Sequence, residues 1–182
     1  MHPRGQTLIE LIIAVGIIAA GLVGILTLTQ ASIRAWTETV RRVQATYLAA
    51  EGIELTRNAI ETNELKQKPW WDGFRGDGTM TIDRDGPVDF TPNDLDECAG
   101  ATCLLHQDAA GFFNHGNGVA TSFARIIELR ELCDGNTLID IGARCAPGAL
   151  IGIQIRSVVS FPSSGGTREQ QLTERWYQWR TL

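Results

Sequence analysis

The chain opens with an unbroken apolar run and then changes its pattern. From Leu11 to Leu28 no residue is charged. A helix that is apolar all round belongs in lipid or among other apolar helices. About 21 residues at 1.5 Å each reach roughly 31 Å, enough to span a bilayer. Beyond the run, Ile33, Trp36, Val40, Val43, Tyr47 and Ala50 recur every three or four residues. Arg34, Glu38, Arg41, Arg42, Glu51, Glu54 and Arg57 fall on the intervening faces. That spacing predicts one helix from about Thr7 to about Thr62, with the apolar stripe as a core face under a sheet. No proline interrupts it between Pro3 and Pro69.

Residues 63–76 leave the helix at Pro69, Gly73 and Gly76, and Trp70, Trp71 and Phe74 there are expected to cover the base of a domain. Strand signals follow. Thr79–Asp83 alternates and then turns at Asp85-Gly86-Pro87. Leu104–His106 is a short candidate, and Gly111–Gly118 reads as a loop. Phe123–Leu132 reads as a strand and Leu138–Ile141 as a weaker one. Leu150–Phe161 is the clearest, because Ile151, Ile153 and Ile155 alternate with Gln154 and Arg156. Pro162–Gly166 is a hairpin loop, and Thr167–Trp179 returns with Leu172, Trp176 and Trp179. The class is α+β: a long N-terminal helix, apolar in its first half, packed on a mostly antiparallel sheet.

Length and charge narrow the choices. A chain of 182 residues fits one helix and one small domain, and a net charge of −5 argues against a nucleic-acid-binding surface. From Asp72 to Glu97 eight acids face two arginines. Within that stretch Asp83, Asp85 and Asp89 resemble half of a calcium loop without its closing glutamate, so a solvated acidic loop is the expectation. The four cysteines, Cys98, Cys103, Cys133 and Cys145, all follow residue 97. An even count in a domain outside the membrane favours disulfides over zinc. Pairing Cys98 with Cys103 and Cys133 with Cys145 closes two local loops, and other pairings remain open.

Catalytic chemistry is sparse. His106 and His115 flank a glycine-rich loop near Asp108, and exposed loop histidines are the plain reading. Ser157, Ser160, Ser163 and Ser164 lie in no nucleophile-elbow pattern, and no phosphate-binding loop or helical metal motif occurs. No catalytic residue, metal or cofactor is expected.

The charge that stands out is Glu10. It sits at the head of the apolar run, where a carboxylate costs about 3 kcal/mol or more unless it is paired. Arg4-Gly5-Gln6-Thr7-Leu8-Ile9-Glu10, with the run behind it, resembles the class III signal of type IV pilins and pseudopilins. The resemblance implies cleavage after Gly5 by prepilin peptidase, methylation of Gln6 as the new N-terminus, and pairing of Glu10 with the amine of a neighbouring subunit. Gln6 stands where phenylalanine or methionine is commoner. The run also lacks a central proline, and Gly16, Gly21 and Gly24 are candidates for softening the helix in its place. An ordinary secretory signal would instead be cut at Ala19-Ala20-Gly21, but the apolar run continues past it. A plain signal anchor is the other reading of the run.

Three later stretches, Ala49–Asn58, Thr121–Ile127 and Leu172–Trp176, resemble minor pilins of the modification type. The resemblance implies a leader at 1–5, a helix over 6–62 that crosses the membrane at about 8–28, and an extracytoplasmic β-rich domain over 63–182. It implies a structural and assembly subunit, not an enzyme, in a pilus-like filament or secretion pseudopilus. Its expected partners are other pilin subunits, the peptidase and, before assembly, membrane lipid. A major filament subunit or adhesin, and a membrane-anchored extracytoplasmic enzyme or binding protein, are the alternatives.

Overall fold

A computed structural model describes residues 6–70, 78–83, 86–92, 103–115, 118–140 and 143–178. The chain divides into two compact units, Met1–Arg41 and Arg42–Leu182.

One helix, α1 (Gln6–Leu65), runs unbroken through Gly16, Gly21 and Gly24. The glycines lower the helix preference but do not interrupt the hydrogen-bond ladder, because residues such as Leu, Ile and Ala surround them. In the first unit, the described apolar side chains of the run lie exposed: Leu11, Ile17, Leu22 and Leu26 are each more than half accessible. Its hydroxyls turn inward, Thr27 donating to the Gly24 carbonyl and Thr29 to that of Ile25, each at 2.8 Å. Such self-satisfied hydroxyls suit a helix face with no water to bond.

In the second unit, strands β1 (Gly78–Asp83), β2 (Gly86–Pro92), β3 (Leu104–Gln107), β4 (Phe113–Asn114), β5 (Val119–Cys133), β6 (Thr137–Leu138), β7 (Leu150–Ser163) and β8 (Gly166–Tyr177) join one antiparallel sheet. The long β5 is its spine. One edge of β5 pairs in turn with β3, β1 and β6, and the other pairs along ten residues with β7. β8 then pairs with β7 along its whole length. β2 forms a hairpin with β1 where a turn was expected at Asp85-Gly86-Pro87. β4 is two residues long within the stretch expected as a loop. The β7–β8 turn is tighter than PSSGG implied, since Ser163 already pairs with Gly166.

The face of α1 that meets the sheet is not the expected stripe. Ile33, Trp36, Val40, Val43 and Tyr47 are exposed, Trp36 and Tyr47 each at 73%. The buried positions are Ala45, Leu48, Ala49, Gly52, Ile53, Thr56 and Ile60, which recur at three and four residues. Small side chains let the helix approach the strands closely. Ala45, Leu48 and Ala49 pack with Leu105, Phe123, Val159 and Phe161; Ile53 and Ile60 pack with Trp70, Ile127, Leu129, Ile153 and Ile155. Trp70 covers one end of this core and lies 4.7 Å from Trp176, centroid to centroid. Trp71 and Phe74 lie outside the described residues.

Arg57 on α1 clamps β8 through Glu174, with Nη2 to both carboxylate oxygens at 2.6 and 2.7 Å. The hydrogen bond that Arg57 donates to Glu174 raises the Arg57 pKa above its ordinary value. The stability this adds is fully present below the ordinary arginine pKa and is lost only as pH rises through the folded one. With both side chains about one-third exposed, the pair contributes on the order of 1 kcal/mol or less.

Cys133 and Cys145 form a disulfide that closes a loop of sequence separation 12 around β6. Within it the Cys145 amide donates to Glu131 at 2.7 Å, and Tyr177 donates to Asn136 at 3.0 Å. Cys103 is fully buried and disulfide-bonded as well, and Cys98 lies outside the described residues. Replacing both Cys133 and Cys145 with serine is expected to lower stability by about 2–3 kcal/mol through the freed unfolded chain. Thermal unfolding should show this as a fall of roughly 5–10 °C. An unchanged midpoint would mean the loop is held by its hydrogen bonds alone.

Candidate functional site

Of the residues singled out in sequence, Gly5 lies outside the described residues, and Gln6 is the first residue of α1. Glu10 is exposed on that helix, four residues and about 6 Å along the axis from Gln6. Ile13 and Ile17, one and two turns further along the same face, are both more than half exposed. An ionised carboxylate amid apolar side chains has two low-energy situations: at a water-facing interface, or against a cation brought by another molecule. Arg34, Arg41 and Arg42 lie at least 24 positions further along the same helix, so none reaches Glu10. The helix from Leu8 contains a stretch long and apolar enough to cross a membrane, none of it buried within the protein.

The other charged clusters are structural ties within the second unit. Arg125 on β5 is 1% exposed; its Nη1 donates to the Leu48 carbonyl at 3.2 Å and to Glu51 at 3.1 Å. Arg156 on β7 holds the buried Glu128 of β5 at 2.8 Å, and its Nε donates to Gln171 of β8 at 2.9 Å. Sequence reading passed over both buried charges. A signal was present for Arg125: it shares a strand face with Phe123 and Ile127, two residues to either side.

His106 and His115 do not converge. His106 pairs with Asn114 across β3 and β4, while His115 Nε2 lies 3.2 Å from the Arg125 carbonyl. Among the described residues no group of three His, Cys, Asp or Glu is placed to hold a metal ion. Asp85 lies outside the described residues, as do Asp72, Asp77, Asp94, Asp96 and Glu97 of the acidic segment.

A groove of about 520 Å3 opens in the second unit between α1 and the β3–β4–β5 corner. Leu48, Phe113 and Phe123 give it an apolar floor; Tyr47, Gln44, Gln107, Thr121 and Glu51 complete its walls. The Thr121 hydroxyl is already engaged, donating to the Leu105 carbonyl at 2.7 Å.

Residues 1–26 match the family described as the prokaryotic N-terminal methylation motif. No curated protein and no solved structure matches the chain. The matched span is a prepilin-type signal, and it takes in Gly5, Gln6, Glu10 and most of the apolar run. The motif indicates a pilin-like or pseudopilin chain that is processed by prepilin peptidase, and together with the apolar helix it points to anchoring in a membrane. It points to a structural subunit, not an enzyme.

Proposed function

We propose that this protein is a minor pilin or pseudopilin, a structural and assembly subunit of a type IV pilus-like filament or a secretion pseudopilus. The observation that carries this reading is the methylation motif at the head of a helix whose first half has its described apolar side chains exposed all round. Such a helix is stable in lipid, and equally stable once other apolar helices replace the lipid. The peptidase removes residues 1–5. Gln6 becomes the methylated N-terminus. The Glu10 carboxylate then pairs with the amine of a neighbouring subunit as the helix leaves the membrane.

In a water-free core that pair attracts strongly, but much of the attraction offsets desolvation. Its main effect is on register, since a subunit out of step leaves a buried charge unpaired. The sheet unit is carried outside the membrane and, after assembly, on the filament surface. Its two disulfide-bonded regions suit an oxidising compartment. A minor role is favoured over a major one by the resemblance of residues 49–58, 121–127 and 172–176 to minor types.

The test is the mature N-terminus, read by mass spectrometry on protein from membranes and sheared surface material of its own host. A chain beginning at N-methylated Gln6 is expected, scarce in the sheared fraction relative to the main subunit. Abundance equal to the main subunit would make it a major pilin. A chain that keeps Met1 beside an active peptidase would end the filament reading.

A further inference from the structure

We propose that, before assembly, the turn of α1 around Arg34 and Trp36 lies in the headgroup layer of the leaflet opposite Glu10, with Arg34 on lipid phosphate and Trp36 at the edge of the hydrocarbon. This rests on the membrane-anchored reading above and names the lipid contact that fixes the helix at one depth.

The uncharged stretch is longer than the apolar run. From Leu11 to Ile33 no residue carries a charge, and Glu10 and Arg34 bound the stretch at its two ends. These charges are 24 positions apart, about 36 Å along the helix axis. That spacing exceeds the roughly 30 Å of hydrocarbon and falls short of the roughly 40–45 Å that includes both headgroup layers. A helix tilt of about 20° shortens it only to roughly 34 Å. Both charges therefore reach headgroup layers at once, and Glu10 takes the first of its two low-energy situations, at a water-facing interface.

The side chains of the turn fit a phospholipid. Ile33 and Trp36 share a face and are 60% and 73% exposed. Cα–Cβ bonds lean toward the N-terminus of a helix, so Trp36 projects back toward the hydrocarbon, at the depth where tryptophan concentrates in membrane spans. Arg34 is exposed and, among the described residues, makes no ion pair, although Glu38 lies one turn further on. Phosphate is the anion at this depth, and a guanidinium binds two of its oxygens at once.

The two charges act as stops. Sliding the helix by one turn, about 5.4 Å, toward the Arg34 side carries the Glu10 carboxylate into hydrocarbon, and sliding it the other way carries Arg34 in.

The test reconstitutes the full chain in vesicles of equal parts phosphatidylcholine and phosphatidylglycerol, with a nitroxide on one introduced cysteine: Leu22→Cys, Ile33→Cys or Val40→Cys. Cys103, Cys133 and Cys145 are disulfide-bonded and do not take the label, and the chain without an introduced cysteine gives the background. Oxygen, which concentrates in hydrocarbon, and a water-soluble nickel chelate report depth. Leu22, midway between the two charges, is expected to be deep. Ile33 is expected at the headgroup boundary, and Val40, about 9 Å beyond Arg34, in water. Arg34→Glu repels phosphate and is expected to raise nickel access at Ile33 at least about fivefold, the weight of one basic residue at an anionic surface. Arg34→Lys should keep the native value. A deep Leu22 with Ile33 as nickel-accessible as Val40, or with Ile33 unmoved by Arg34→Glu, overturns the proposal and leaves the membrane-anchored reading standing. Leu22 in water overturns that reading and this inference with it.

Discussion

Replacing Glu10 with alanine is expected to leave cleavage after Gly5 intact and to lower incorporation into filaments at least tenfold. The two halves of this result have separate causes. On the proposed function the peptidase acts on the leader side of the chain, while the carboxylate is needed only when the helix leaves lipid. Without Glu10 the new N-terminal amine of a neighbour loses its counter-charge in an apolar core. Breaking one side of a buried ion pair costs about 3–5 kcal/mol, well beyond the 1.4 kcal/mol that corresponds to a factor of ten. In the membrane alanine also removes the cost of holding a carboxylate at the head of the apolar run. Both changes shift the balance toward the unassembled state.

Glu10→Gln separates charge from shape. It keeps the side-chain length and should fall close to alanine if charge pairing is what counts. Mass spectrometry of the N-terminus reads cleavage, and quantitative immunoblotting of sheared and membrane fractions reads incorporation. Alanine at the wild-type level in the sheared fraction would remove the carboxylate from assembly altogether. A loss of cleavage would move its role to peptidase recognition.

Much of the architecture was legible because it rests on pattern. The all-apolar run, the misplaced carboxylate and the alternation of Leu150–Phe161 report directly on environment, and each lies in the element expected. The hidden parts share a different logic. β2 contains Pro87, which removes a ladder donor, and it survives because, among the described residues, β2 pairs on only one side, with β1. β4 lies among glycines and is too short to show a period.

The helix face misled for a more instructive reason. Large apolar residues at helical spacing, from Ile33 to Tyr47, drew the eye, yet the sheet packs on Ala45, Ala49, Gly52 and Thr56. Hydropathy periodicity weights size, whereas close packing of a helix on a twisted sheet rewards smallness. The charge that lies deepest, Arg125, was concealed because a strand interior is read as apolar. Glu51 and the Leu48 carbonyl, which accept from its guanidinium, help its burial to be tolerated.

Gly52 is where that close approach is tightest, and its replacement by leucine is expected to cost more than about 3 kcal/mol. A side-chain carbon added there would lie 2.5 Å from Ser157 Oγ, 2.7 Å from Ile127 Cδ1 and 3.2 Å from Arg125 Cδ. All three neighbours are side chains rather than backbone, so a single methyl can be accommodated in part. The Ser157 hydroxyl is wholly buried and has no hydrogen-bond partner among the described residues, so it rotates without losing a bond. Alanine also gains roughly 1 kcal/mol of helix preference over glycine. Gly52→Ala should therefore destabilise by only about 1 kcal/mol, the remainder after overlap and propensity oppose each other.

Leucine has no such offset. It must push α1 off β5 and β7, which would draw Arg125 away from Glu51 and leave a buried charge without its partner. Thermal unfolding of the full chain in detergent should place Gly52→Leu at least 10 °C or so below the native protein and Gly52→Ala within about 5 °C. Equal midpoints for the leucine variant and the native protein would show that α1 does not seat on the sheet at this glycine. A destabilised leucine variant that is still cleaved but absent from sheared filaments would show that the docked sheet unit, and not the apolar helix alone, is required for assembly.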